Sequence, residues 1–348
     1  MTPRRMIVFA PNVGGGGGLV LLRAVLKTLG STHQGQPGFV AILDARGRED
    51  IGMDWLVDAR SHSSLRWVEP TLSGRWHAEW LLRQLARDDD IVLCFHNLPP
   101  ILPIMGRVVC FVQNAHLLDL IPADGVSVRV RLRSAAERTI ARLFRHRIHR
   151  YIVQTPTMAK ALLSGLGTSA APMDVLPFVA DEQSCGPQLR APPATDFLYV
   201  SDGSAHKNHR RLFAAWILLA EQGLFPKLAV TLHPHRDAAL RAELDRLTRQ
   251  HQLRIDDLGQ RPHAEILAQY RTARALIFPS YAESFGLPLV EAAAAGLPIL
   301  ASELDYVRDV CVPVQSFIPC HRAQLRGRCA AFSISRRTSS RRWALTPL

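Results

Sequence analysis

Two glutamates, Glu283 and Glu291, lie in the part of the sequence with the densest chemical signal, residues 275–301. A predicted strand ends at residue 278, Pro288 suits the first turn of a helix, and Gly296 suits its C-terminal cap. The helix N-terminus therefore opens at the carboxyl end of a strand, where open parallel sheets bind ligands and N–H groups favour phosphate. Carboxylates accept hydrogen bonds from hydroxyls, so this loop suits a ligand with both phosphate and sugar groups. The alternative is structural: Glu291 is a solvated helix residue, and Glu283 interacts only with the helix dipole.

Short, fully apolar runs predict the strands that position these residues. They fall at 6–10, 39–43, 91–95, 108–112, 151–153, 197–200, 228–232, 275–278 and 299–301. Helical spacing of apolar residues predicts helices over 19–29, 210–221, 237–251 and 263–273. Runs without alternation indicate strands buried on both faces, hence parallel sheets covered by helices. The pattern pauses at 181–195, where proline and polar residues accumulate. We therefore expect an α/β chain with two Rossmann-like domains, 1–180 and 196–317, joined by the linker 181–195.

Three stretches resemble family 4 glycosyltransferases of the GT-B fold, the glycosyl transferases group 1 type. They are FPSYAESFGLPLVEAAAAGLPILAS, which holds both glutamates, LGQRPHAEILAQYRTARALIFPS before it, and YVSDGSAHKNHRRLFAAW at 199–216. The resemblance is clear over 197–309 and weaker over the first 180 residues. It implies two Rossmann-like domains that face a cleft, and a retaining transferase that needs neither metal nor cofactor. The implied substrates are a nucleotide-sugar donor and a glycan or lipid-linked acceptor, as in bacterial polysaccharide or lipopolysaccharide biosynthesis.

The resemblance also assigns roles to matching residues. Glu283 matches a glutamate that contacts the donor sugar, and Glu291 matches one that binds ribose hydroxyls. Lys207 matches a lysine that neutralises the donor diphosphate and so stabilises the leaving group. Backbone N–H groups that approach the sugar and diphosphate belong to Ser284, Phe285 and Gly286.

One departure from the family lies shortly before Lys207. Many members carry an arginine there, whereas this chain has Ser-Asp-Gly ending at Gly203, which we expect among the donor-binding residues. Either another cation such as Arg210 or Arg211 supplies the charge at the donor site, or the diphosphate is stabilised less. Both arginines also suit a plain helix surface.

The N-terminal domain offers a weaker candidate site. Between a predicted strand and a predicted helix lies a glycine run whose backbone can approach a phosphate or an acceptor, namely Gly14, Gly15, Gly16 and Gly17. A flexible turn explains these glycines as well, and Asp44 after the second strand keeps a dinucleotide site open. His116 matches the family's polar acceptor-side residues only loosely, and a structural histidine explains it equally.

Charge and composition bound the remaining function classes. The formal net charge is +12, but residues 318–348 hold seven arginines and no acid, so overall charge is weak support for a nucleic-acid partner. The stretch 129–150 holds eight arginines and one acid, interleaved with apolar residues. This predicts either a helix on an anionic membrane or a solvated charged face. Six scattered cysteines disfavour a zinc site and a disulfide framework. Apolar windows are too short to span a bilayer, so we expect a cytoplasmic protein, peripheral at most to the inner face of the membrane.

The C-terminal stretch 318–348 departs most from the family. The family continues into another strand and a long helix, whereas this stretch is rich in arginine and serine with poor helical periodicity. We interpret it as an out-of-frame or otherwise abnormal end, and we expect it to be poorly ordered. Two alternative functions remain: a nucleotide-sugar-binding protein inactivated by this end, and a basic nucleic-acid-binding protein. The second lacks the context of any common nucleic-acid-binding motif.

Overall fold

The computed structural model describes residues 5–31, 38–52, 64–118, 120, 128–166, 171–177 and 193–338. The chain forms two compact units, each with its own sheet. Unit 1 comprises Met1–Leu120 with Ser127–Glu182, and unit 2 comprises Ile121–Val126 with Gln183–Leu348. Most of the predicted linker 181–195 lies outside the described residues.

Unit 1 is built on a seven-stranded parallel sheet. Its strands are β1 Met6–Ala10, β2 Val40–Asp44, β3 Ser64–Val68, β4 Ile91–Cys94, β5 Arg107–Val112, β6 Arg150–Val153 and β7 Met173–Val175. Its helices are α1 Gly16–Ser31, α2 Arg48–Ile51, α3 Leu72–Leu85, α4 Val128–Phe144 and α5 Pro156–Leu166. The strand order is β3-β2-β1-β4-β5-β6-β7, and Ile7 of β1 lies between Val40 of β2 and Val92 of β4. The apolar runs thus form the central strands, as predicted.

One core cluster of unit 1 lies between a single face of this sheet and three helices. It joins alternate strand residues such as Ile7 and Phe9 to Leu82 of α3, Ala141 of α4 and Leu162 of α5. The chain advances in the same direction along the sheet at each of these three crossovers. Right-handed crossovers in one direction place their helices on one face, so α3, α4 and α5 cover the same side.

Unit 2 has a six-stranded parallel sheet of the same kind. Its strands are β8 Thr195–Tyr199, β9 Leu228–Val230, β10 Ile255–Asp257, β11 Ala273–Phe278, β12 Ile299–Ser302 and β13 Gln315–Phe317. Its helices are α6 His209–Ala220, α7 Ala238–His251, α8 His263–Thr272, α9 Leu287–Ala294, α10 Asp305–Arg308 and α11 Arg322–Thr338. The strand order is β10-β9-β8-β11-β12-β13. Three of these helices, α6, α7 and α8, match the predicted spans to within one residue.

The expectation that residues after 317 are poorly ordered is wrong for the described part of that stretch. Helix α11 packs against α6 and β13. Leu325, Cys329 and Phe332 are buried in the core of unit 2, and the ring of Phe332 lies 5.8 Å from that of Phe197. These three positions recur at helical spacing, so one apolar stripe holds the helix although its other faces are basic. Residues 339–348 lie outside the described residues.

Two findings concern disulfides and membrane spans. Within the described residues five cysteines are free, at positions 94, 110, 311, 320 and 329. No helix in that part of the chain has the length and apolarity needed to cross a bilayer.

Candidate functional site

A charged pair lies where the strand order of unit 2 changes direction. The chain passes from β8 outward to β9 and β10, then returns to β11 on the other side of β8. The loops after β8 and β11 therefore flank the switch point, at which open α/β sheets bind ligands. Lys207 lies in the first loop and Glu283 in the second, and Lys207 Nζ donates to both carboxylate oxygens of Glu283 at 2.7 and 2.8 Å. The structure thus brings together the two residues that the sequence nominated for catalysis.

Tyrosine hydroxyls hold the backbone around this pair. Tyr199, the last residue of β8, donates to the carbonyl of Lys207 at 2.6 Å, and its hydroxyl lies 3.0 Å from Ser280 Oγ. Tyr306 donates to the carbonyl of Ser280 at 2.9 Å. The N–H of Tyr281 donates to the carbonyl of His206 at 2.8 Å, so the two loops are bonded to each other directly. The Lys207 backbone is therefore fixed from both strands.

Asn208 joins three segments beneath the pair. It adopts a left-handed conformation with φ of 65°, which asparagine tolerates better than most residues. Its buried amide donates to the carbonyls of Pro279 and Pro319, each at 3.0 Å. The segment leading into α11 is thereby attached to the candidate site, a contact that no local motif in the sequence indicates.

The predicted helix N-terminus is present at α9. Gly286 is its N-cap with φ of 80°, and a Cβ at that position would lie 3.1 Å from Leu289 Cδ1. The backbone conformation therefore favours glycine, and a Cβ would also crowd Leu289. Ser284 and Phe285 lie in the same loop, between Glu283 and the helix. Helix α9 starts at the carboxyl edge of β11, so its positive dipole end faces the side where the Lys207–Glu283 pair lies.

Glu291 is buried, so it is not a solvated helix residue. Its Oε1 lies 2.8 Å from Nε2 of His263, and its Oε2 accepts a hydrogen bond from the hydroxyl of Tyr270 at 2.9 Å. Two carboxylate oxygens offer about four lone-pair sites, so each keeps capacity for a ligand hydroxyl. His263 and Tyr270 were missed in the sequence, although Tyr270 continues the apolar spacing of α8.

The loop after β8 carries an acid where an arginine was expected. Burial acts against the charge of Asp202, but Lys207, hydrogen bonds from Ser204 and the charge of Arg236 hold its pKa below the ordinary value. The N–H of Gly203 donates to Asp237 Oδ2 at 3.0 Å, and a Cβ on Gly203 would lie 2.7 Å from Asp237 Cγ. This glycine is required by that close approach.

The structure places three arginines around this loop in different settings. Arg210 pairs with Glu243 at 2.9 Å, and Arg211 donates to the carbonyl of Cys320 at 2.7 Å. Arg236 instead lies 3.9 Å from Asp202 and 3.7 Å from Asp237, next to Gly203. It follows β9, outside the motifs used in the sequence analysis, so only the fold brings it here.

His209 packs beneath Lys207 as a neutral side chain. Burial lowers its pKa to about 4, with an opposing contribution from Asp202. Its ring lies 4.8 Å from that of Tyr199, and among the described residues neither ring nitrogen has a hydrogen-bond partner. Protonation at this position therefore costs folding free energy.

The glycine run of unit 1 lies at the equivalent switch point, between β1 and β4. Helix α1 begins at Gly16, earlier than predicted, so the run is half loop and half first helical turn. Gly15, Gly16 and Gly17 are exposed, and a Cβ on Gly14 would lie 2.8 Å from Arg46 Nε. Asp44 is buried and held by Arg46, with a 2.6 Å contact to Nη2. Its carboxylate thus caps a turn instead of lying exposed beside the glycines.

A buried polar network lies on the other side of that switch point. His96, directly after β4, has Nδ1 3.1 Å from the carbonyl of Phe9 and Nε2 2.7 Å from Arg75 Nη2. Arg75 also pairs with Glu79 at 2.8 Å. Burial and the charge of Arg75 lower the pKa of His96 well below its ordinary value. His116 lies further along the sheet, after β5, where its carbonyl accepts from Arg138 at 3.3 Å.

Among the described residues, no three His, Cys, Asp or Glu side chains cluster as ligands for a metal ion. The charged groups that interact around the loop after β8 are Lys207, Arg236, Asp202, Asp237 and Glu283.

Comparison with known proteins finds a family similarity within this unit. Residues 187–322 match the model described as glycosyl transferases group 1. The O-antigen chain mannosyltransferase B of Escherichia coli is 30% identical over 115 residues, which is 32% of this chain and 30% of that protein. The D-inositol 3-phosphate glycosyltransferase 1 of Catenulispora acidiphila is 35% identical over 96 residues, 26% of this chain and 22% of that protein. The match spans less than a third of the length of either relative.

Solved structures share the fold over nearly the whole chain. The Anabaena protein HepE in complex with UDP and glucose gives a TM-score of 0.68 at 16% identity, covering 96% of this chain and 91% of that one. The apo form of the lipopolysaccharide outer core galactosyltransferase WaaB gives 0.61 at 15% identity, with 96% and 91% covered. Two parallel-sheet α/β units of this kind constitute the GT-B fold. Residues 187–322 of this chain are therefore similar to the glycosyl transferases group 1 family.

Proposed function

We propose that this protein transfers a sugar from a nucleoside diphosphate sugar to a glycan or lipid-linked acceptor in bacterial polysaccharide or lipopolysaccharide synthesis, at the cytoplasmic side of the membrane. The observation that carries the proposal is the Lys207–Glu283 pair at the switch point of unit 2, beside the N-terminus of α9. Cation, N–H groups and carboxylate together provide partners for both phosphate and hydroxyl groups. Relatives named as mannosyltransferase and galactosyltransferase support the same class of reaction.

Two cations bind the donor diphosphate in this proposal. Lys207 and Arg236 both act on Asp202, so both lie at the loop after β8. Arg236 takes the role of the arginine that family members carry shortly before the lysine. Arg210 does not, since it pairs with Glu243 instead. The backbone N–H groups of Ser284, Phe285 and Gly286 and the dipole of α9 add to the positive potential. No divalent metal is required by this arrangement.

The two carboxylates bind different parts of the donor. Glu283 contacts the transferred sugar, because it lies beside the lysine that takes the diphosphate. Glu291 accepts from ribose hydroxyls, and His263 and Tyr270 hold its carboxylate in one orientation. The glycine run at residues 14–17, at the switch point of unit 1, offers backbone N–H groups to the acceptor or to a phosphate.

In the transfer step, the bond from the anomeric carbon to the diphosphate breaks and a bond to an acceptor hydroxyl oxygen forms, with retention of anomeric configuration. The hydroxyl proton leaves with the diphosphate. Negative charge grows on the leaving diphosphate, where Lys207 and the N–H groups stabilise it more in the transition state than in the ground state.

The alternative of an inactive binding protein depended on an abnormal, poorly ordered C-terminus. Because α11 packs into unit 2 and its leading segment bonds to Asn208, that argument loses its support. We therefore favour the enzyme.

Thermal unfolding with a panel of nucleoside diphosphate sugars tests the donor proposal. A true donor stabilises the native state by RT ln(1 + [L]/Kd), about 2.7 kcal/mol at a hundredfold excess over Kd. We expect one donor to raise the melting temperature with chelator present, and Lys207→Ala and Arg236→Gln to reduce the shift. Arg210→Gln is the matched control and should leave it unchanged. A panel in which no donor raises the melting temperature would contradict the proposal.

A further inference from the structure

Two neighbouring helices of unit 1 expose apolar residues on their outer sides. On α3, Leu72, Trp76 and Trp80 recur every fourth residue and are 93%, 58% and 48% exposed. The inner side of the same helix carries Ala78 and Leu82, both fully buried. An ordinary surface helix places polar residues on its outer side, so this pattern is the reverse of what solvent exposure favours.

Helix α4 shows the same arrangement. Val128, Leu132 and Leu143 are 69%, 66% and 63% exposed, while its buried positions are Ser134 and Ala141. At 3.6 residues per turn the three large residues fall within about 60° of one another, opposite the two buried ones. The helix thus presents a polar or small inner side and a large apolar outer stripe.

The two stripes belong to one surface. Helices α3 and α4 cover the same face of the unit 1 sheet and share one core cluster. The two helices are also close enough for the negative charge of Glu137 on α4 to favour the charged form of the buried Arg75 guanidinium on α3. Both helices run away from the carboxyl edge of the sheet, so Leu72 and Val128 begin at the edge that carries the glycine run.

The charge around the α4 stripe is strongly positive. Helix α4 has five arginines and a single acid, Glu137. By helical position Arg129 and Arg133 flank the stripe on one side, and Arg131 and Arg142 on the other. Glu137, the single acid of α4, is paired with Arg133 at 2.8 Å, so its negative charge is neutralised and repels an anionic surface less.

We propose that the outer sides of α3 and α4 form a docking surface for an anionic lipid bilayer. Leucine, valine and tryptophan side chains enter the headgroup boundary, where the amphipathic indole ring is most favoured, and the flanking arginines pair with lipid phosphates. Neither stripe is long enough to cross the bilayer, so the protein lies on it. The choice of lipid over another occupant follows from the charge: apolar contact area framed by arginines complements a negatively charged interface.

This proposal deepens the proposed function, because it brings a lipid-linked acceptor to the unit that carries the glycine run. The lipid-docking proposal can nevertheless be tested independently of sugar transfer. Binding to vesicles needs no donor and no transfer, so a chain that fails to bind any nucleotide still tests the surface.

The experiment is co-sedimentation of the full chain with vesicles of phosphatidylcholine alone or of equal parts phosphatidylcholine and phosphatidylglycerol. We expect binding to the anionic vesicles only, weakened by salt, with a blue shift of tryptophan emission. Replacing Arg129, Arg131 and Arg133 by Gln should weaken it roughly a hundredfold. Leu132→Glu with Leu143→Glu, and separately Trp76→Ser with Trp80→Ser, should each weaken it on the order of tenfold or more.

Controls keep the test decisive. Val312→Glu places a negative charge on an apolar residue of unit 2 that is 80% exposed, and should bind as the parent does. All variants change exposed residues and should keep the parent melting temperature. Equal binding to both vesicle types, or unchanged binding by the apolar variants, overturns the proposal. If the parent is a dimer that Leu132→Glu converts to a monomer, the face joins two copies of the chain and the proposal is also overturned. The same holds if the parent binds nucleic acid but not vesicles, and the arginine variant loses that nucleic-acid binding.

Discussion

Replacing Lys207 by alanine separates the donor-site account from a purely structural salt bridge. The ammonium of Lys207 has three donors, and two of them meet Glu283 at 2.7 and 2.8 Å. The two side chains are only 16% and 10% exposed, so solvent and salt screen the pair less than a surface pair. Losing one charge-assisted hydrogen bond to the diphosphate costs about 1.5–3 kcal/mol. We therefore expect the Kd for the nucleoside diphosphate to rise roughly tenfold to 150-fold in Lys207→Ala.

The partner substitution should act in the opposite direction on the same ligand. Glu283→Gln removes a carboxylate that competes with the diphosphate for Lys207. The Kd for nucleoside diphosphate without sugar should therefore stay equal or fall, while the rate of transfer falls. If the salt bridge had no role in ligand binding, the two substitutions would not change the Kd for nucleoside diphosphate in opposite directions.

Isothermal titration calorimetry in the presence of chelator measures these constants. Lys227→Ala is the matched control, because Lys227 pairs with Asp256 at 3.0 Å in the same unit and should bind as the parent does. An unchanged Kd in Lys207→Ala would refute the assignment of this lysine. Binding abolished by chelator alone would refute the metal-free account.

Three further predictions follow from the same geometry. Glu291→Gln should mainly raise the donor KM through lost ribose contacts, whereas Glu283→Gln should lower kcat; steady-state kinetics distinguish them, and equal, small effects would contradict both roles. Leu325→Ala should cost about 2–5 kcal/mol in urea unfolding, because Leu325 is 1% exposed in the core of unit 2, and a change within experimental error would mean that α11 does not pack there. His209 has a folded pKa of about 4, below the unfolded value near 6.5, so its contribution to stability is fully present above about pH 6.5 and is lost as the pH falls towards 4. The loss amounts to about 3 kcal/mol, and His209→Gln should remove that part of the pH dependence of unfolding.

The central strands could be predicted because they are buried on both faces and therefore carry unbroken apolar runs. The edge strands could not. β3 at the edge of unit 1 exposes Arg66 in its sequence SLRWV, and β13 at the edge of unit 2 is the short segment QSF. An edge strand pairs with a neighbour on one side only and is partly exposed, so its sequence lacks the unbroken apolar run that identifies a central strand.

The candidate site was predictable where one local motif carries it, as with Glu283, Gly286 and Glu291. Contacts between segments that are distant in the sequence could not be predicted. Arg236 reaches the loop after β8 only because β9 lies beside β8, and Asn208 meets Pro319 only because the segment before α11 returns to the site.

Helix α11 shows how composition can mislead. Its arginines and the absence of acids dominated the interpretation of 318–348, although the buried side of a helix needs only one apolar residue per turn. Leu325, Cys329 and Phe332 provide that stripe. That the stretch is out of frame remains a prediction, and the encoding nucleotides in the two other frames would test it.

The central claim is that this chain transfers sugar from a nucleoside diphosphate sugar through the site at Lys207 and Glu283. The most direct measurement incubates the full chain with labelled donors and a bacterial lipid and glycan extract, and follows nucleoside diphosphate release together with incorporated label. We predict release and incorporation from at least one donor by the parent, and loss of both in Glu283→Gln with its fold and nucleoside diphosphate binding intact. Release from no donor, or transfer that continues unchanged in Glu283→Gln, would contradict the account.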